Sequence, residues 1–354
     1  MKSNRLANKE NTIIKPINIA LFGFGRIGRN LFRLSYKDPR FNIVAISEYS
    51  HIETLHYLLS RDSIHGPLKD DVGLNGDSFV IGNKKVRILP GDKPGEIPWV
   101  TLGADVVIDA TGHYLKRREL EKHLQAGAKR VIVTRTPEDD IDRIVVNGVN
   151  DASIQASDRI ISATSSTTQV LALMLKILHH HYTVKRALMT TIHAYTADQP
   201  LADAVGIDLR RSRSAVENII PNTTSAPEIV EKLMPEFAGK LDGIAFNVPV
   251  PNGSCVDLTT ELEIMPTVEE INQVIKQEAE NGYADLVGYT NDPIVSSDVN
   301  GREETMIFDA KATMITAEKL LKTICWYDNG WGFSARVLEL IKSYQELENV
   351  GDKS

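Results

Sequence analysis

The apolar run Ile17–Phe22 (I-N-I-A-L-F) leads straight into Gly23-Phe24-Gly25-Arg26-Ile27-Gly28, and the helix-like stretch N-L-F-R-L-S follows. Strand, tight turn and helix in that order leave few folds open. The glycines let the backbone turn sharply and approach a pyrophosphate, whose charge then rests against the helix N-terminus. A second apolar run, I-V-A-I-S at 43–47, ends at Glu48, twenty residues after Gly28. A carboxylate there accepts hydrogen bonds from a ribose 2′-hydroxyl and repels a 2′-phosphate, so the motif reads as an NAD site rather than an NADP site.

Further strand-like runs occur at V-R-I-L (86–89), D-V-V-I-D (105–109) and R-V-I-V (130–133), with helical spacing between them, notably over Leu120–Ala126. Such alternation predicts a parallel sheet covered by helices. After Ser166 the pattern changes. V-L-A-L-M-L-K-I-L (170–178) reads as a buried helix, and I-A-F-N-V-P and S-C-V-D-L-T-T-E-L-E-I read as strands separated by a Pro/Gly-rich turn. The segment 331–344 places Val337, Leu338 and Ile341 on one helical face. The class expected is α/β, a Rossmann dinucleotide-binding domain plus a mixed α+β catalytic domain.

The 354 residues are enough for two domains and a deep cleft. A net charge of -7 argues against general affinity for nucleic acid, which depends on neutralising phosphates. No apolar run approaches the length of a membrane span. Two cysteines, Cys255 and Cys325, are too few for a disulfide framework or a cysteine-rich metal site. Residues 1–16 lack the apolar core of a secretory signal and read as a flexible tail on a cytoplasmic protein.

The motifs together resemble the glyceraldehyde-3-phosphate dehydrogenase family, which includes the erythrose-4-phosphate dehydrogenases. G-F-G-R-I-G-R-N (23–30), R-D-S-I-H-G (61–66), A-T-G (110–112), T-T-I-H-A-Y-T-A-D-Q (190–199), D-L-R-R-S-R (208–213), E-N-I-I-P (217–221) and W-Y-D-N-G-W-G-F-S (326–334) carry the resemblance. It implies a Rossmann domain over 17–165, completed by a C-terminal helix at 331–354, and a catalytic domain over 166–330. It also implies a homotetramer acting on a small molecule. Cofactor contacts would come from Gly23, Gly25, Arg26, Ile27, Gly28, Glu48, Thr111, Gly112, Thr134 and Asn329. Substrate and phosphate contacts would come from Ser165, Thr167, Thr196, Asp198, Arg213, Thr224, Ser225 and Asn247. In the family a cysteine thiolate attacks an aldehyde, hydride passes to nicotinamide, and phosphate releases the thioester.

This chain departs from that scheme at its centre. The family's S-C-T-T-N is matched by Ser165, Ser166, Thr167, Thr168 and Gln169, so Ser166 occupies the nucleophile position, and His193 lies where the family's catalytic histidine lies. A hydroxyl stays protonated at neutral pH and attacks only with a base beside it, whereas a thiol can be tuned to a thiolate. Ser166 is thus open to three roles: residual nucleophile, donor to a substrate oxygen, or helix N-cap. Asn247 stands where the family's M-R-V-P-T-P-N strand has the arginine that holds substrate phosphate. Gln169, Val170, Ser225, Gly330 and G-D-K-P (91–94) are further departures.

Three functions follow from these residues: an NAD-dependent oxidoreductase on a small, phosphorylated or anionic carbonyl compound; an NAD-binding paralogue without catalysis; or an engineered Cys-to-Ser trap. His179, His180 and His181 point in divergent directions on a helix, which suits carbonyl capping at its C-terminus better than a metal site. No metal is expected. Arg210, Arg211 and Arg213 suit phosphate or subunit contacts.

Overall fold

A computed structural model describes residues 15–316 and 320–351. The first part of the chain runs β1 (Ile17–Phe22), α1 (Arg26–Ser35), β2 (Phe41–Ser47), α2 (Ile52–Ser60), β3 (Gly73–Asn75), β4 (Ser78–Ile81), β5 (Lys84–Leu89), α3 (Trp99–Leu102), β6 (Val106–Asp109), α4 (Arg117–Gln125), β7 (Arg130–Val133), β8 (Arg143–Ile144) and β9 (Ile160–Ser162). These nine strands form one sheet in the order β3-β4-β5-β2-β1-β6-β7-β9-β8. From β5 to β8 all neighbours are parallel, as the alternation predicts. β3 and β4 add an antiparallel edge that the apolar runs did not reveal, because both strands are short and β3 is exposed throughout. The chain leaves β1 in opposite directions, to β2 on one side and to β6 on the other, and such a switch point opens a crevice at the carboxyl ends of the strands.

The second part runs α5 (Ser166–Tyr182), β10 (Val184–Ala194), β11 (Ile220–Asn222), α6 (Ala226–Leu233), β12 (Leu241–Val248), β13 (Ser254–Leu262), α7 (Val268–Glu280), β14 (Val287–Thr290), β15 (Met306–Asp309), β16 (Met314–Thr316), β17 (Leu320–Tyr327) and α8 (Trp331–Gly351). Its mixed sheet has the order β11-β12-β10-β13-β17-β15-β14, with β16 paired to β17. β12 and β13 follow each other in the chain without pairing, because β10 lies between them.

α5 is apolar nearly all round and lies in the core under this sheet, with Val170, Leu171, Leu173, Met174, Leu175, Ile177 and Leu178 fully buried. Such a helix is held by burial rather than by propensity, each large side chain contributing about 1.5–3 kcal/mol. α8 returns to the first sheet, burying Phe333, Val337, Leu338, Leu340, Ile341 and Tyr344 in the core that also holds Leu31 and Phe32 of α1. The expected tail lies, over residues 1–14, outside the described residues.

Candidate active site

The glycine turn after β1 is built for close approach. Gly23 has φ +93°, and a Cβ there would come within 2.8 Å of the Thr111 nitrogen. A Cβ on Gly28 would lie 2.2 Å from the Gly23 carbonyl oxygen. Only glycine fits at either place. Gly25 precedes α1 without a side-chain cap, so the N–H groups of Arg26, Ile27 and Gly28 have no acceptor among the described residues. A helix N-terminus left in that state suits an anion. Glu48 stands over the turn, its Oε2 accepting the Phe24 N–H at 2.8 Å and its Oε1 the Tyr49 N–H at 3.0 Å. Thr111 donates through Oγ1 to Asp109 Oδ1 at 2.6 Å, and Thr134 donates through Oγ1 to the Asp109 carbonyl at 3.0 Å. Gly112 continues the turn with φ +72°. Asn329 Oδ1 accepts the Ser254 hydroxyl at 3.0 Å, which leaves its amide nitrogen as the donor. These residues fit a dinucleotide.

Beside this turn lies a cleft of about 360 Å³, lined by Thr134, Arg135, Thr136, Ser165, Thr167, Thr191, His193, Thr196, Asp198, Arg211, Thr224, Ser225 and Asn247, among others. The loop carrying Ser166 enters it through Thr164, whose φ of +55° is costly for a β-branched residue. Hydrogen bonds hold that kink. The Thr164 N–H donates to Ser162 Oγ at 2.8 Å, its hydroxyl meets that of Thr136 at 3.0 Å, and Gln169 donates through Nε2 to the Ala163 carbonyl at 2.8 Å. The N-cap of α5 is Ser165, whose Oγ accepts the Thr168 N–H at 3.1 Å. The capping role considered for Ser166 is therefore wrong: it is the first helical residue, half-buried between two lining residues, and its hydroxyl makes no hydrogen bond among the described residues. The N–H groups of Ser166 and Thr167 are likewise without acceptors there.

His193 comes from β10, where it pairs in register with Asn247 of β12. Its Nδ1 lies 2.7 Å from the Ala194 carbonyl oxygen, an acceptor only, so Nδ1 carries the proton and Nε2 is left as a base. This carbonyl is the orienting group that sequence motifs could not supply, since no side chain is involved. Desolvation, then the nearby charge of Arg26, push His193 below its ordinary value, against the opposing pull of the Ala194 carbonyl and of Asp198. The ring is neutral at pH 7. Tyr327 ties the histidine's strand to the Ser166 loop: its hydroxyl meets Thr167 Oγ1 at 2.8 Å and Thr191 Oγ1 at 3.0 Å. Burial pushes that phenol up to about 12.

Neither cysteine of the chain offers a reactive thiolate. Cys255 is buried in β13 with its thiol pushed up to about 12 by desolvation, and burial drives Cys325 higher still.

Among the expected phosphate-binding residues, Arg213 is displaced: it pairs with Asp203 at 3.0 Å and is not part of the cleft lining. Arg211, two residues earlier, points inward instead and donates to Asp198 Oδ2 at 2.6 Å. Desolvation opposes ionisation of Asp198, but the Thr196 hydroxyl and Arg211 outweigh it and hold the carboxyl below its usual range. Asn247 is buried and accepts from Asn222 Nδ2 at 3.3 Å. Thr224 Oγ1 accepts the Ala226 N–H at 3.2 Å, and Ser225 sits at the N-cap of α6 without a side-chain bond. The lining and bridging residues missed from sequence are Arg135, Thr191 and Tyr327, whereas Arg211 lies in the arginine run expected to suit phosphate or subunit contacts. Of these only Arg135 left a signal, as a basic residue just past the carboxyl end of β7.

The histidine run at the end of α5 does not cap carbonyls as expected. His179 Nδ1 accepts the Val184 N–H at 3.2 Å, and His181 meets Glu278 at 2.7 Å. No group of three His, Cys, Asp or Glu able to hold a metal occurs among the described residues.

Comparison with known proteins agrees with this geometry. Residues 17–117 match the NAD-binding domain of glyceraldehyde 3-phosphate dehydrogenase, and residues 165–329 match the C-terminal domain. Glyceraldehyde-3-phosphate dehydrogenase of Geobacillus stearothermophilus is 42% identical over 325 residues, covering 92% of this chain and 97% of the relative. The protein of that name from Streptomyces coelicolor is 43% identical over 329 residues, with the same shares covered. On this match across both sheets, the chain belongs to the glyceraldehyde-3-phosphate dehydrogenase family of NAD-dependent oxidoreductases.

Proposed function

We propose that this protein transfers a hydride between NAD and a small carbonyl or hydroxyl compound bearing an anionic group, without the thioester formed by the family's cysteine. The observation that carries this reading is His193: a neutral ring, oriented by a backbone carbonyl, with Nε2 left as a base in a hydroxyl-rich cleft next to the cofactor turn. Bound NAD supplies the hydride acceptor or, when reduced, the donor. In the oxidative direction His193 takes the substrate's hydroxyl proton as the adjacent carbon gives up its hydride, and C–O becomes C=O. An aldehyde enters as its hydrate by the same step and leaves as the acid. In the reductive direction Nε2 of His193 first takes a proton from water and passes it to the oxygen as the hydride reaches the carbon. The free N–H groups of Ser166 and Thr167 polarise that oxygen, with the Ser166 hydroxyl as a further donor.

The test is a turnover screen of purified protein against sugar phosphates, aldehydes and hydroxy acids with NAD or NADH, with and without phosphate. Turnover independent of phosphate supports the proposal. NAD binding with no turnover on any of them favours a non-catalytic paralogue, a reading to which the unbonded Ser166 hydroxyl lends weight.

The proposal includes a division into a cofactor domain (17–165 with 331–354) and a catalytic domain (166–330). It also includes a homotetramer, supported by Val205, Ile207 and Leu209, which are 107%, 106% and 85% exposed in one segment and call for cover. Light scattering checks the assembly. A cytoplasmic setting fits two unpaired cysteines, and among the described residues no helix is long and apolar enough to cross a membrane.

A further inference from the structure

Asn247 removes a cation from the cleft, yet the lining keeps three charged side chains, Asp198, Arg211 and Arg135. Arg211 and Asp198 hold each other at 2.6 Å, so their charges cancel locally. Arg135 has no carboxylate within ion-pair distance among the described residues; its one side-chain hydrogen bond there runs from Nη1 to the Gly112 carbonyl at 3.3 Å. The uncompensated positive charge of the cleft is therefore that of Arg135.

Its position is fixed at the backbone and free at the head. The Arg135 carbonyl accepts the Ser162 hydroxyl at 2.8 Å, which anchors it to the loop that carries Ser166. Its Cδ and Nη1 lie 3.1 and 3.3 Å from where a Cβ on Gly112 would be, so the side chain rests on the one residue type that leaves it room. The guanidinium thus stands on the wall shared by the cofactor turn and the substrate cleft. Ser165, Thr167, Thr196 and Thr224 line the same space. A planar guanidinium among hydroxyl donors recognises a phosphate group by paired, charge-assisted hydrogen bonds.

We propose that Arg135 binds the phosphate group of the substrate in this chain, in place of the arginine that Asn247 replaces. This rests on the cleft being the substrate site. The anion is then gripped from the first sheet, beyond β7, rather than from β12, so the substrate lies differently across the cleft from one held at position 247.

The test is calorimetric titration of inorganic phosphate into the NAD-saturated protein, wild type and the variants Arg135→Gln and Arg135→Lys. Losing charge-assisted hydrogen bonds predicts that Arg135→Gln weakens phosphate about ten- to a hundredfold, while Arg135→Lys keeps part of the affinity and the NAD Kd stays within about twofold in both. An unchanged phosphate Kd in Arg135→Gln overturns the proposal, as does no phosphate binding by the wild type at tens of millimolar. A loss of NAD affinity equal to that of phosphate also overturns it, since Arg135 would then serve the cofactor. Thermal melting of each variant separates these outcomes from misfolding, and any variant that fails to fold is replaced by Arg135→Met. Binding is read without turnover, so these shifts in a protein that oxidises nothing refute the proposed reaction and leave the phosphate site standing.

Discussion

Substituting Ser166 by cysteine asks directly what the missing sulfur would meet. Residue 166 opens α5, a 17-residue helix, and the N–H groups of Ser166 and Thr167 have no acceptors among the described residues. An anion at a partly buried helix N-terminus gains about 1–2 kcal/mol, or about one pKa unit. The neutral His193 adds no ion pair in its resting state. Desolvation works the other way, as the thiol of Cys255, pushed up to about 12, demonstrates; residue 166 is only half-buried, so the helix term wins. The thiol in Ser166→Cys should therefore titrate near ~7.5 instead of ~8.5, raising the thiolate at pH 7 from about 3% to about a quarter. The assay is the pH dependence of alkylation by iodoacetamide at residue 166, read by mass spectrometry, with buried Cys255 and Cys325 as silent internal controls. A thiol titrating at or above ~8.5 would refute the reasoning, because the helix end would not be acting on that side chain. Phosphate-dependent oxidation of glyceraldehyde 3-phosphate should stay weak in this variant. Full activity would mean that Asn247 costs nothing and that the proposed change of reaction is wrong.

His193→Asn should lower kcat about 10²–10⁴-fold while leaving NAD affinity intact, measured by steady-state kinetics and calorimetry. Because His193 is held below its ordinary value, its base form prevails at neutral pH, and the oxidation rate should fall only on acidification beyond that value. The unfolded histidine takes a proton near ~6.5 while the native ring stays neutral, so stability is present above that pH and declines as pH falls through it; denaturant midpoints at pH 7 and 5 should differ less in His193→Asn. Gly28→Ala places a methyl 2.2 Å from the Gly23 carbonyl and should weaken NAD binding at least about tenfold by forcing the turn open, seen by titration of cofactor fluorescence. Tyr327→Phe strands the buried Thr167 hydroxyl, while Thr191 keeps the Cys255 carbonyl as its acceptor at 3.3 Å, and a loss of about 1–3 kcal/mol is expected in chemical denaturation, with a drop in kcat as the loop and β10 uncouple.

Much of this molecule was legible along the chain because its causes are local. A strand, three glycines and a following acid specify a dinucleotide turn whatever surrounds them, and a stretch such as 170–178, apolar except for Lys176, has no place to go but a core. Serine at 166 and asparagine at 247 could likewise be weighed as chemistry before any coordinates, since a hydroxyl is not a thiol and an amide carries no charge. What the chain order could not convey depends on which side chains converge from distant segments. The inward turn of Arg211 rather than Arg213 is decided by where Asp198 and Asp203 lie, and a shift of two residues along an exposed run is invisible to spacing. The base at His193 is oriented by a backbone carbonyl, which every residue possesses and no motif records. Ser165 rather than Ser166 caps α5 because Thr164 bends the chain with positive φ one residue before it, a strain only its buried partners can sustain. The free charge of the cleft rests on Arg135 for the same reason: a charge is free or cancelled only relative to its neighbours, and neighbours across a cleft are made by folding.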